Sequence, residues 1–354
     1  MKIVHAVYSM EMGGAETLVA QLARVQRASG HDVTVCAYAK LGVLGEALRA
    51  EGIAVHVLGE APPWKTMLRY WRLFRGLRPD VVHMHNPAPT LQAAPGARLA
   101  GAKCVISTRH SLVAPPYDRG EEIKFSLWAW LWLDWVAGIC EITCANLRGA
   151  PLARRARIVR VYNGAAPLGR VDVAREDGEF RLLFVGRLAE IKDLPTLIRA
   201  VAIARETLPQ LRLWIVGDGT VRAELEALAA ELGVRERVVF WGQQMDTARF
   251  FSAVDVFAMS SVSEGLPMSL VQAMSLGLPA VTTDVGGMAE VLRLSGSGLL
   301  APVGDARAMA DAIVRLAENA GLREEFSRRA REAYAREFTL EQMAAAYEEL
   351  YRRR

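Results

Sequence analysis

An acidic residue, a Gly-Leu-Pro turn and the start of a helix stand together in residues 263–274. Pro267 suits the first helical position, because its missing N–H is not needed there. The free amides of that first turn, at the positive end of the helix dipole, predict a site for an anion. The carboxylate of Glu264 suits hydroxyl groups attached to such an anion. An anion joined to a polyol describes a sugar nucleotide.

Two cations, Arg187 and Lys192, follow the first predicted strand of the second half of the chain. At the carboxyl end of a strand, a planar guanidinium and an ammonium can both bind a diphosphate. Together they can neutralise a leaving pyrophosphate without a metal, through electrostatic stabilisation. Taken alone, the pair is also explained as solvated surface charges.

Glycines follow strands at two further points. Gly13 and Gly14 lie between the first strand and the first helix, where glycine permits a close backbone approach of phosphate. The spacing is not the Gly-x-Gly-x-x-Gly dinucleotide motif, and an ordinary strand–helix turn explains it equally well. Gly217 and Asp218 occupy a turn after a strand of the second half, where a base or ribose can bind.

Three histidines lie in or just after predicted strands. His83 and His85 are two residues apart, so in a strand they share one face. They could form a metal pair, but no acidic residue or third histidine lies nearby in the sequence. Packing or hydrogen bonding to an acceptor substrate is the favoured interpretation. His110 follows a strand and is better placed for a cleft.

Short β-branched runs alternate with helical stretches along all 354 residues. This alternation predicts parallel sheets covered by helices, and the length exceeds what one hydrophobic core usually organises. We therefore expect two doubly wound α/β domains, joined at a loop over residues 163–179, with ligands at the carboxyl ends of their strands. The predicted strands are residues 2–8, 32–38, 54–58, 81–84, 103–108, 135–140 and 158–162, then 180–185, 212–216, 238–241, 254–260, 280–283 and 298–301.

Composition restricts the class of protein. No dense basic tract or recognition module is present, so nucleic-acid binding is not expected. The N-terminus lacks the pattern of a signal peptide, and Asp134 interrupts the best candidate for a membrane span. The four cysteines have neither the spacing of metal ligands nor that of a redox pair, which indicates reduced thiols in the cytoplasm. The cysteines are Cys36, Cys104, Cys140 and Cys144.

The first half is basic and rich in tryptophan. Residues 1–167 hold 20 Lys or Arg and 12 Asp or Glu, whereas the remainder holds 23 and 27. Residues 64–77 predict an amphipathic helix with Lys65, Arg69 and Arg72 on one side, and residues 125–135 form a second aromatic stretch. Core helices with a solvated polar face explain both segments. The alternative is peripheral contact with an anionic membrane, which would give access to a lipid-linked acceptor.

Six short motifs occur in order along the chain, and together they resemble the retaining glycosyltransferases of the GT-B fold, family 4. The resemblance covers nearly the whole chain, from the first strand to the final helix. The motifs are Gly13-Gly14-Ala15-Glu16, Thr108-Arg109-His110, Asn163-Gly164, Gly186-Arg187 with Lys192, Gly217-Asp218-Gly219 and Ser263-Glu-Gly-Leu-Pro.

The resemblance implies two Rossmann-like domains whose parallel sheets face each other across a central cleft. Residues 1–165 would bind the acceptor, with a C-terminal helix at 339–354 packing back on them, and residues 166–338 would bind the nucleotide-sugar. It further implies a metal-independent hexosyltransferase that needs no cofactor and retains the anomeric configuration. Such an enzyme would use a glycan or lipid-linked acceptor in cell-surface polysaccharide or glycolipid biosynthesis. It would be cytoplasmic, with peripheral contact at the inner face of the membrane.

The resemblance also implies roles for particular residues. Arg187 and Lys192 would bind the donor diphosphate, Glu264 would bind hydroxyls of the sugar, and His110 would contact the sugar near its anomeric centre. The departing phosphate would accept the proton of the acceptor hydroxyl on the same face. The implied catalytic residues are His110, Glu264, Arg187 and Lys192. The implied donor-binding residues are Gly13, Gly14, Arg187, Lys192, Gly217, Asp218, Glu264, Gly265, Leu266, Met268 and Gln272.

One position departs from the family pattern. A second glutamate, which binds the ribose, is expected eight positions after Glu264, and this chain has Gln272 there. A neutral amide still accepts a hydroxyl hydrogen bond but loses the charge-assisted part, so weaker donor binding is expected. A catalytically silent nucleotide-sugar-binding or scaffold protein is therefore one alternative, and a nucleotide-sugar epimerase is another. The intact Arg187, Lys192 and Glu264 argue against the first, and the Glu-Gly-Leu-Pro segment disfavours the second.

Overall fold

The computed structural model describes residues 1–110, 119–150, 156–173 and 178–353. The chain divides into two compact domains. The N-terminal domain comprises Met1–Ala165 together with Phe338–Arg354, and the C-terminal domain comprises Ala166–Glu337. Phe338 thus lies in the N-terminal domain, whereas the sequence placed it at the end of the other domain.

A parallel sheet forms the centre of the N-terminal domain. Its strands are β1 (Lys2–Val7), β2 (Asp32–Ala37), β3 (Ala54–Val57), β4 (Val81–His85), β5 (Cys104–Arg109), β6 (Trp135–Gly138) and β7 (Ile158–Arg160). Seven strands pair in the order β3-β2-β1-β4-β5-β6-β7. The central strands are buried on both faces, which is why they read as almost continuous apolar runs.

Helices cover both faces of this sheet. They are α1 (Gly14–Ala28), α2 (Gly42–Ala50), α3 (Pro63–Leu77), α4 (Pro87–Leu99), α5 (Arg119–Trp132), α6 (Glu141–Gly149) and α14 (Leu340–Arg352). Successive residues of a strand point to opposite faces. Val4 of β1 accordingly joins a core cluster that contains Tyr70 and Phe74 of α3. Val35 of β2 joins another cluster with Val19 of α1.

The last helix of the chain completes the N-terminal domain. Thr339 caps α14 by accepting a hydrogen bond from the Gln342 amide at 3.1 Å, and it also forms a parallel bridge with Ala165. Gly164 permits this approach, because a Cβ there would lie 2.1 Å from the Thr339 carbonyl oxygen. Tyr347 and Tyr351 of α14 are buried in the domain, at 1% and 6% exposure.

The C-terminal domain repeats the same plan. Its strands are β8 (Phe180–Val185), β9 (Leu211–Val216), β10 (Val238–Gly242), β11 (Val256–Met259), β12 (Ala280–Thr283) and β13 (Gly298–Ala301). They pair in parallel in the order β10-β9-β8-β11-β12-β13. The helices are α7 (Leu194–Ala204), α8 (Arg222–Glu231), α9 (Ala248–Ser252), α10 (Met268–Leu276), α11 (Gly286–Ser295), α12 (Ala306–Glu318) and α13 (Ala320–Glu337).

The predicted α/β class is confirmed, and each predicted strand has a counterpart in one of the two sheets. Both sheets have the doubly wound order, which reverses between β1 and β4 in the first domain and between β8 and β11 in the second. Folds of this type bind ligands outside the carboxyl ends of the strands at the point of reversal. One helix start was wrong by a residue: α10 begins at Met268, and Pro267 occupies its N-cap position.

Among the described residues, no helix is both long enough and apolar enough to cross a membrane.

Candidate functional site

Two loops border the point of strand reversal in the C-terminal domain. One follows β8 and carries Arg187 and Lys192, and the other follows β11 and carries Glu264. Lys192 Nζ forms an ion pair with Glu264 Oε1, and the two side chains are 17% and 13% exposed. The Ser261 hydroxyl donates to the same carboxylate oxygen at 3.0 Å. The structure therefore brings together the predicted diphosphate-binding and sugar-binding residues at the edge of one sheet.

Only one oxygen of the Glu264 carboxylate is occupied by these contacts. Oε1 receives both the Lys192 ammonium and the Ser261 hydroxyl, and no described residue donates to Oε2. A carboxylate offers about four acceptor positions, so capacity remains for ligand hydroxyls. The ion pair fixes the carboxylate on one side and leaves the other oxygen available.

Hydrogen bonds to backbone carbonyls hold the two loops against each other. The Ser260 hydroxyl donates to the carbonyl oxygens of Lys192 and Asp193, at 3.0 and 2.8 Å. The Val262 amide donates to the Ile191 carbonyl at 2.9 Å. Asp193 adopts φ = 44°, a conformation that costs a non-glycine residue free energy. Its backbone strain is offset by these bonds, which fix where Lys192 points.

A third strand end supports the Glu264 loop from behind. The Thr283 hydroxyl donates to the Ser261 carbonyl at 2.6 Å, and the Gly287 amide donates to the Gly265 carbonyl at 2.7 Å. Gly286 has φ = 55°, and a Cβ there would lie 1.7 Å from the Glu264 carbonyl oxygen. Glycine is therefore required at Gly286 both for its own backbone conformation and for the approach of the loop.

Arg187 is the exposed cation of the site. No ion pair or hydrogen bond of its side chain occurs among the described residues, so the guanidinium is available to a ligand. Its loop lies against the turn after β9: a Cβ on Gly217 would lie 1.9 Å from the Gly186 carbonyl oxygen, and Gly217 has φ = 134°. Asp218 in that turn is committed locally, since it accepts from the Gly219 amide at 2.8 Å and pairs with Arg222 at 3.1 Å.

Helix α10 begins directly after the Glu264 loop. Its N-cap residue is Pro267, and no side chain caps it. The amides of Met268 and Ser269 belong to the first turn, where an α-helix has no internal acceptors. Gln272 lies one helical turn after Met268 on the same face, and no described residue bonds its side-chain amide. Leu266 is buried, at 4% exposure, so its side chain packs while its backbone borders the helix start.

The other predicted site residues belong to the N-terminal domain. Gly13 is the N-cap of α1, and Gly14 is its first residue. Nothing lies within 4 Å of where a Cβ on Gly14 would stand, so packing within the domain does not require glycine there. His110 follows β5, and its backbone amide donates to Asn86 Oδ1 at 3.1 Å. Asn86 itself has φ = 69°, outside the regions that most residues adopt.

Four histidines, His5, His83, His85 and His110, form a cluster at the point of reversal of the N-terminal sheet; the first three are buried, and His110 is half-buried. His5 of β1 stands opposite His83 of β4 in the register. The rings of His83 and His85 stack with centroids 4.2 Å apart, and those of His85 and His110 stack at 5.3 Å. Burial lowers the pKa of His5 and that of His110 to about 4. Burial also holds the pKa values of His83 and His85 well below their ordinary range. The cluster is therefore neutral at physiological pH.

One atom from each of His5, His83 and His85 lies within 4.8 Å of the others, a spacing that invites a metal interpretation. All six ring nitrogens of these residues, however, already have protein partners in hydrogen bonds of 2.7 to 3.0 Å. A metal ion would have to displace several of these bonds. Hydrogen bonding accounts better for the arrangement.

Sequence reasoning missed the residues that hold the site in place. Ser260 and Ser261 directly follow β11, and Thr283 is the last residue of β12, so their positions at strand ends were a usable signal. His5 was also missed, although a histidine within an apolar strand is unusual and β1 and β4 are expected neighbours in a doubly wound sheet. The partners of the cluster on α14 gave no local signal, because they are more than 200 residues away in the sequence.

Both domains match models of glycosyltransferase families. Residues 12–167 match Glycosyltransferase Family 4, and residues 169–333 match Glycosyl transferases group 1. The relative LpsE, a lipopolysaccharide core biosynthesis glycosyltransferase of Rhizobium meliloti, is 36% identical over 56% of this chain and 58% of its own. The chain therefore spans little more than half the length of that relative.

Two further similarities extend over nearly the whole chain. The phosphatidyl-myo-inositol mannosyltransferase of Mycobacterium leprae is 29% identical over 93% of this chain and 90% of its own. The crystal structure of HepE from Anabaena in complex with UDP has a TM-score of 0.87 at 20% identity, over 99% of each chain.

The two doubly wound domains and the similarity to the HepE structure define the GT-B fold. By its domains, the chain is a GT-B glycosyltransferase homologue. Its N-terminal domain is of glycosyltransferase family 4, and its C-terminal domain is of the glycosyl transferases group 1.

Replacement of Gly286 by alanine tests the support of the Glu264 loop. We expect Gly286→Ala to lower the free energy of unfolding by about 1–3 kcal/mol, because it adds a Cβ against a backbone carbonyl at a positive φ. Urea unfolding measures the change. Gly321→Ala on α13 is the matched control, since its Cβ meets nothing closer than 3.6 Å. Equal stability of the two variants would contradict the packing described.

The neutral histidine cluster predicts acid sensitivity. The pKa values of these groups are lower in the folded state, so the unfolded chain binds more protons between pH about 6.5 and about 4. The contribution of these histidines to the free energy of unfolding is fully present above this window. It is lost as the pH falls through the window, by about 1.4 kcal/mol per pH unit for each group. Urea unfolding followed by tryptophan fluorescence at pH 7.5 and 5.0 measures the loss. His83→Gln should reduce the loss in free energy of unfolding between pH 7.5 and pH 5.0 by the contribution of one histidine. An unchanged loss would refute the assignment.

Proposed function

We propose that this protein is a glycosyltransferase that moves a hexose from a nucleoside-diphosphate sugar to a glycan or lipid-linked acceptor. The observation that carries the proposal is the Lys192–Glu264 pair beside the exposed Arg187 at the point of strand reversal. This arrangement offers cations for a diphosphate and a carboxylate for sugar hydroxyls within one edge of the sheet. A nucleotide-sugar carries a diphosphate joined directly to a sugar with hydroxyls, and therefore matches both parts of this arrangement.

The donor diphosphate would bind between the two cationic side chains and the start of α10. Arg187 can bind two phosphate oxygens with its planar guanidinium, and Lys192 contributes a point charge. The first-turn amides of Met268 and Ser269 add partial positive charge at the helix N-terminus. Lys192 would then be shared between the diphosphate and Glu264, which links the leaving group to the transferred sugar.

The proposed reaction proceeds with retention of anomeric configuration. The bond from the anomeric carbon to the phosphate oxygen breaks, and a bond to the acceptor oxygen forms on the same face. The departing phosphate accepts the proton of the acceptor hydroxyl, so no protein nucleophile is required. Arg187 and Lys192 stabilise the negative charge that develops on the phosphate, which is the role that a metal ion fills in other transferases.

Relatives suggest where the reaction belongs. LpsE is named for lipopolysaccharide core biosynthesis, and the mycobacterial relative is named as a mannosyltransferase of phosphatidyl-myo-inositol. HepE has also been crystallised with UDP-glucose, in a structure that matches this chain with a TM-score of 0.85. We therefore propose cell-surface polysaccharide or glycolipid biosynthesis at the cytoplasmic face of the membrane, and UDP-glucose is the first donor to test.

Gln272 bears on the alternative of a silent nucleotide-sugar-binding protein. Its amide faces the same side of α10 as Met268, so it can still bind ribose hydroxyls without the charge of a glutamate. Loss of function by drift would not preserve the Lys192–Glu264 pair and the five hydrogen bonds from hydroxyls and amides that hold its loops. These contacts favour an enzyme.

The N-terminal domain offers a surface for an anionic membrane. Helix α3 buries Tyr70 and Phe74 and leaves Lys65 and Arg72 exposed, so it packs as an amphipathic helix with its basic side outward. Trp64 at its start is 63% exposed. On α5, three apolar side chains are at least 43% exposed: Ile123, Trp130 and Leu131. We propose that exposed basic and apolar side chains contact lipid while the acceptor is bound.

Removal of the site charges tests the proposed function. Lys192→Ala and Glu264→Ala should each lower the release of UDP from UDP-glucose by at least about a hundredfold, roughly 2.7 kcal/mol in the barrier. Thermal shifts with UDP and UDP-glucose should fall in parallel for Lys192→Ala, because bound donor raises stability by mass action. The control is Arg328→Ala, which removes one partner of an exposed pair on α13. Near-native rates in both site variants would refute the assignment.

Flotation with liposomes tests the membrane surface. The protein should float with vesicles that contain phosphatidylglycerol and stay behind with pure phosphatidylcholine. Lys65→Gln together with Arg72→Gln should weaken partitioning by about thirtyfold, since each basic residue near an anionic surface contributes about 1 kcal/mol. Lys103→Gln, also an exposed lysine of this domain, is the control. Failure to float with either lipid, combined with full activity on soluble acceptors, would exclude the contact.

A further inference from the structure

A row of hydrogen-bonded side chains runs from His110 into the core of the N-terminal domain. His110 Nε2 lies 3.0 Å from His85 Nδ1, and His85 Nε2 lies 3.0 Å from His5 Nδ1. His5 Nε2 lies 2.7 Å from Oε1 of Gln26 on α1. Each histidine thus bonds each of its neighbours through a different ring nitrogen, and this part of the row reaches the side-chain amide of Gln26.

The row continues from the other side of the same amide. Gln26 Nε2 donates to the Tyr351 hydroxyl at 3.3 Å, and that hydroxyl lies 2.7 Å from His83 Nδ1. His83 Nε2 lies 2.7 Å from the Thr108 hydroxyl, which lies 3.0 Å from the Tyr347 hydroxyl. We call the whole row, from His110 to Tyr347, the hydrogen-bond file.

Neutral imidazoles give the file a direction. A neutral imidazole has one nitrogen that donates and one that accepts, so fixing the role of one nitrogen fixes the other. In a row of hydrogen-bonded neutral rings, the tautomer of the ring at one end therefore determines the tautomer of every other ring. The low pKa values of the three rings keep them in this neutral form, and burial is the cause.

The orientation of the Gln26 amide makes that choice. Its Oε1 can only accept, so His5 carries its proton on Nε2 and accepts at Nδ1. His85 must then donate from Nε2 to His5 and accept at Nδ1 from His110. His110 consequently carries its proton on Nε2, and its Nδ1 is a free lone pair. That nitrogen is shielded from solvent and has no partner among the described residues.

The opposite direction would leave a different group without a partner. If the amide were reversed, every ring would carry its proton on the other nitrogen, and His110 would hold a buried N–H with no described acceptor. A buried donor without an acceptor costs about 1–3 kcal/mol. In the direction described, the unpaired hydrogen lies instead on the Tyr347 hydroxyl at the far end, which can rotate toward an acceptor, whereas a ring N–H cannot.

We propose that Gln26, acting through His5 and His85, fixes the tautomer of His110 so that its Nδ1 accepts a hydrogen bond from a substrate hydroxyl. Gln26, His5 and His85 are thus positioning residues, and the half-buried His110 is the member that touches substrate, once the groups that shield its Nδ1 in the free protein move aside. The ligand class is a polyol whose hydroxyl donates to the ring. This assignment rests on the proposed function for the identity of the hydroxyl, but the tautomer itself belongs to the free protein.

Nitrogen NMR of the histidine rings in the free protein tests the tautomer directly. The chain has six histidines, so selective ¹⁵N labelling gives at most six ring systems, which single substitutions assign. At pH 7.5 we expect His110, His85 and His5 each to carry the proton on Nε2, with Nδ1 showing the shift of an unprotonated nitrogen. A proton on Nδ1 of His110 in the wild-type protein would overturn the proposal.

The remote end of the file provides the second arm of the test. Gln26→Leu removes the amide without touching His110, and it should turn the His110 signal into that of a mixture of tautomers. The release of UDP from UDP-glucose should fall about fivefold to tenfold, the effect of one neutral hydrogen bond. Gln21→Leu is the matched control on the same helix, because no described residue bonds its Oε1. Gln21→Leu should leave both the His110 tautomer and the release of UDP unchanged.

The two arms separate this inference from the proposed function. An unchanged His110 tautomer in folded Gln26→Leu would refute the role of Gln26, whatever the enzymatic activity. If Gln26→Leu does not fold, the wild-type tautomers still decide. If the wild-type protein releases no UDP from UDP-glucose while the tautomers are as described, the proposed donor is wrong and the role of Gln26 in fixing the His110 tautomer is still supported.

Discussion

The reversal of strand order beside the first strand of each sheet is the constraint on which both sites depend. Chain connections leave β1 and β4, and likewise β8 and β11, in opposite directions, so no helix covers the strand ends between them. Loops at these ends are therefore free to carry polar side chains. In the C-terminal domain that position holds Lys192 and Glu264.

The two domains use the same position with opposite electrostatics. The C-terminal site contains an ion pair, Lys192 with Glu264, and both side chains are partly exposed. The N-terminal position is lined with titratable rings that burial holds neutral, and they are connected by hydrogen bonds instead of charge. Charge suits a diphosphate that must be held and released. A neutral network suits a hydroxyl whose orientation matters more than its affinity.

The sequence was sufficient for elements defined by local pattern. β-branched runs located the strands of both sheets, and glycine and charge at strand ends located Arg187, Lys192 and Glu264. It was insufficient where a structure depends on partners far along the chain. His83 was read without His5 and Tyr351, since only the folded sheet and α14 bring them together. The start of α10 at Met268 was missed by one residue because Pro267 suits both the N-cap and the first helical position.

The return of α14 has a consequence for the order in which the protein can be completed during synthesis. The N-terminal domain is interrupted by the whole of Ala166–Glu337 and is finished only by Phe338–Arg354. At about 5–20 residues per second, a ribosome needs roughly 10 to 35 seconds to make the intervening segment. Throughout that time His83 and Thr108 lack the hydroxyls of Tyr351 and Tyr347. The nascent N-terminal domain therefore lacks these partners of its central strands until the C-terminal domain and then α14 have been made.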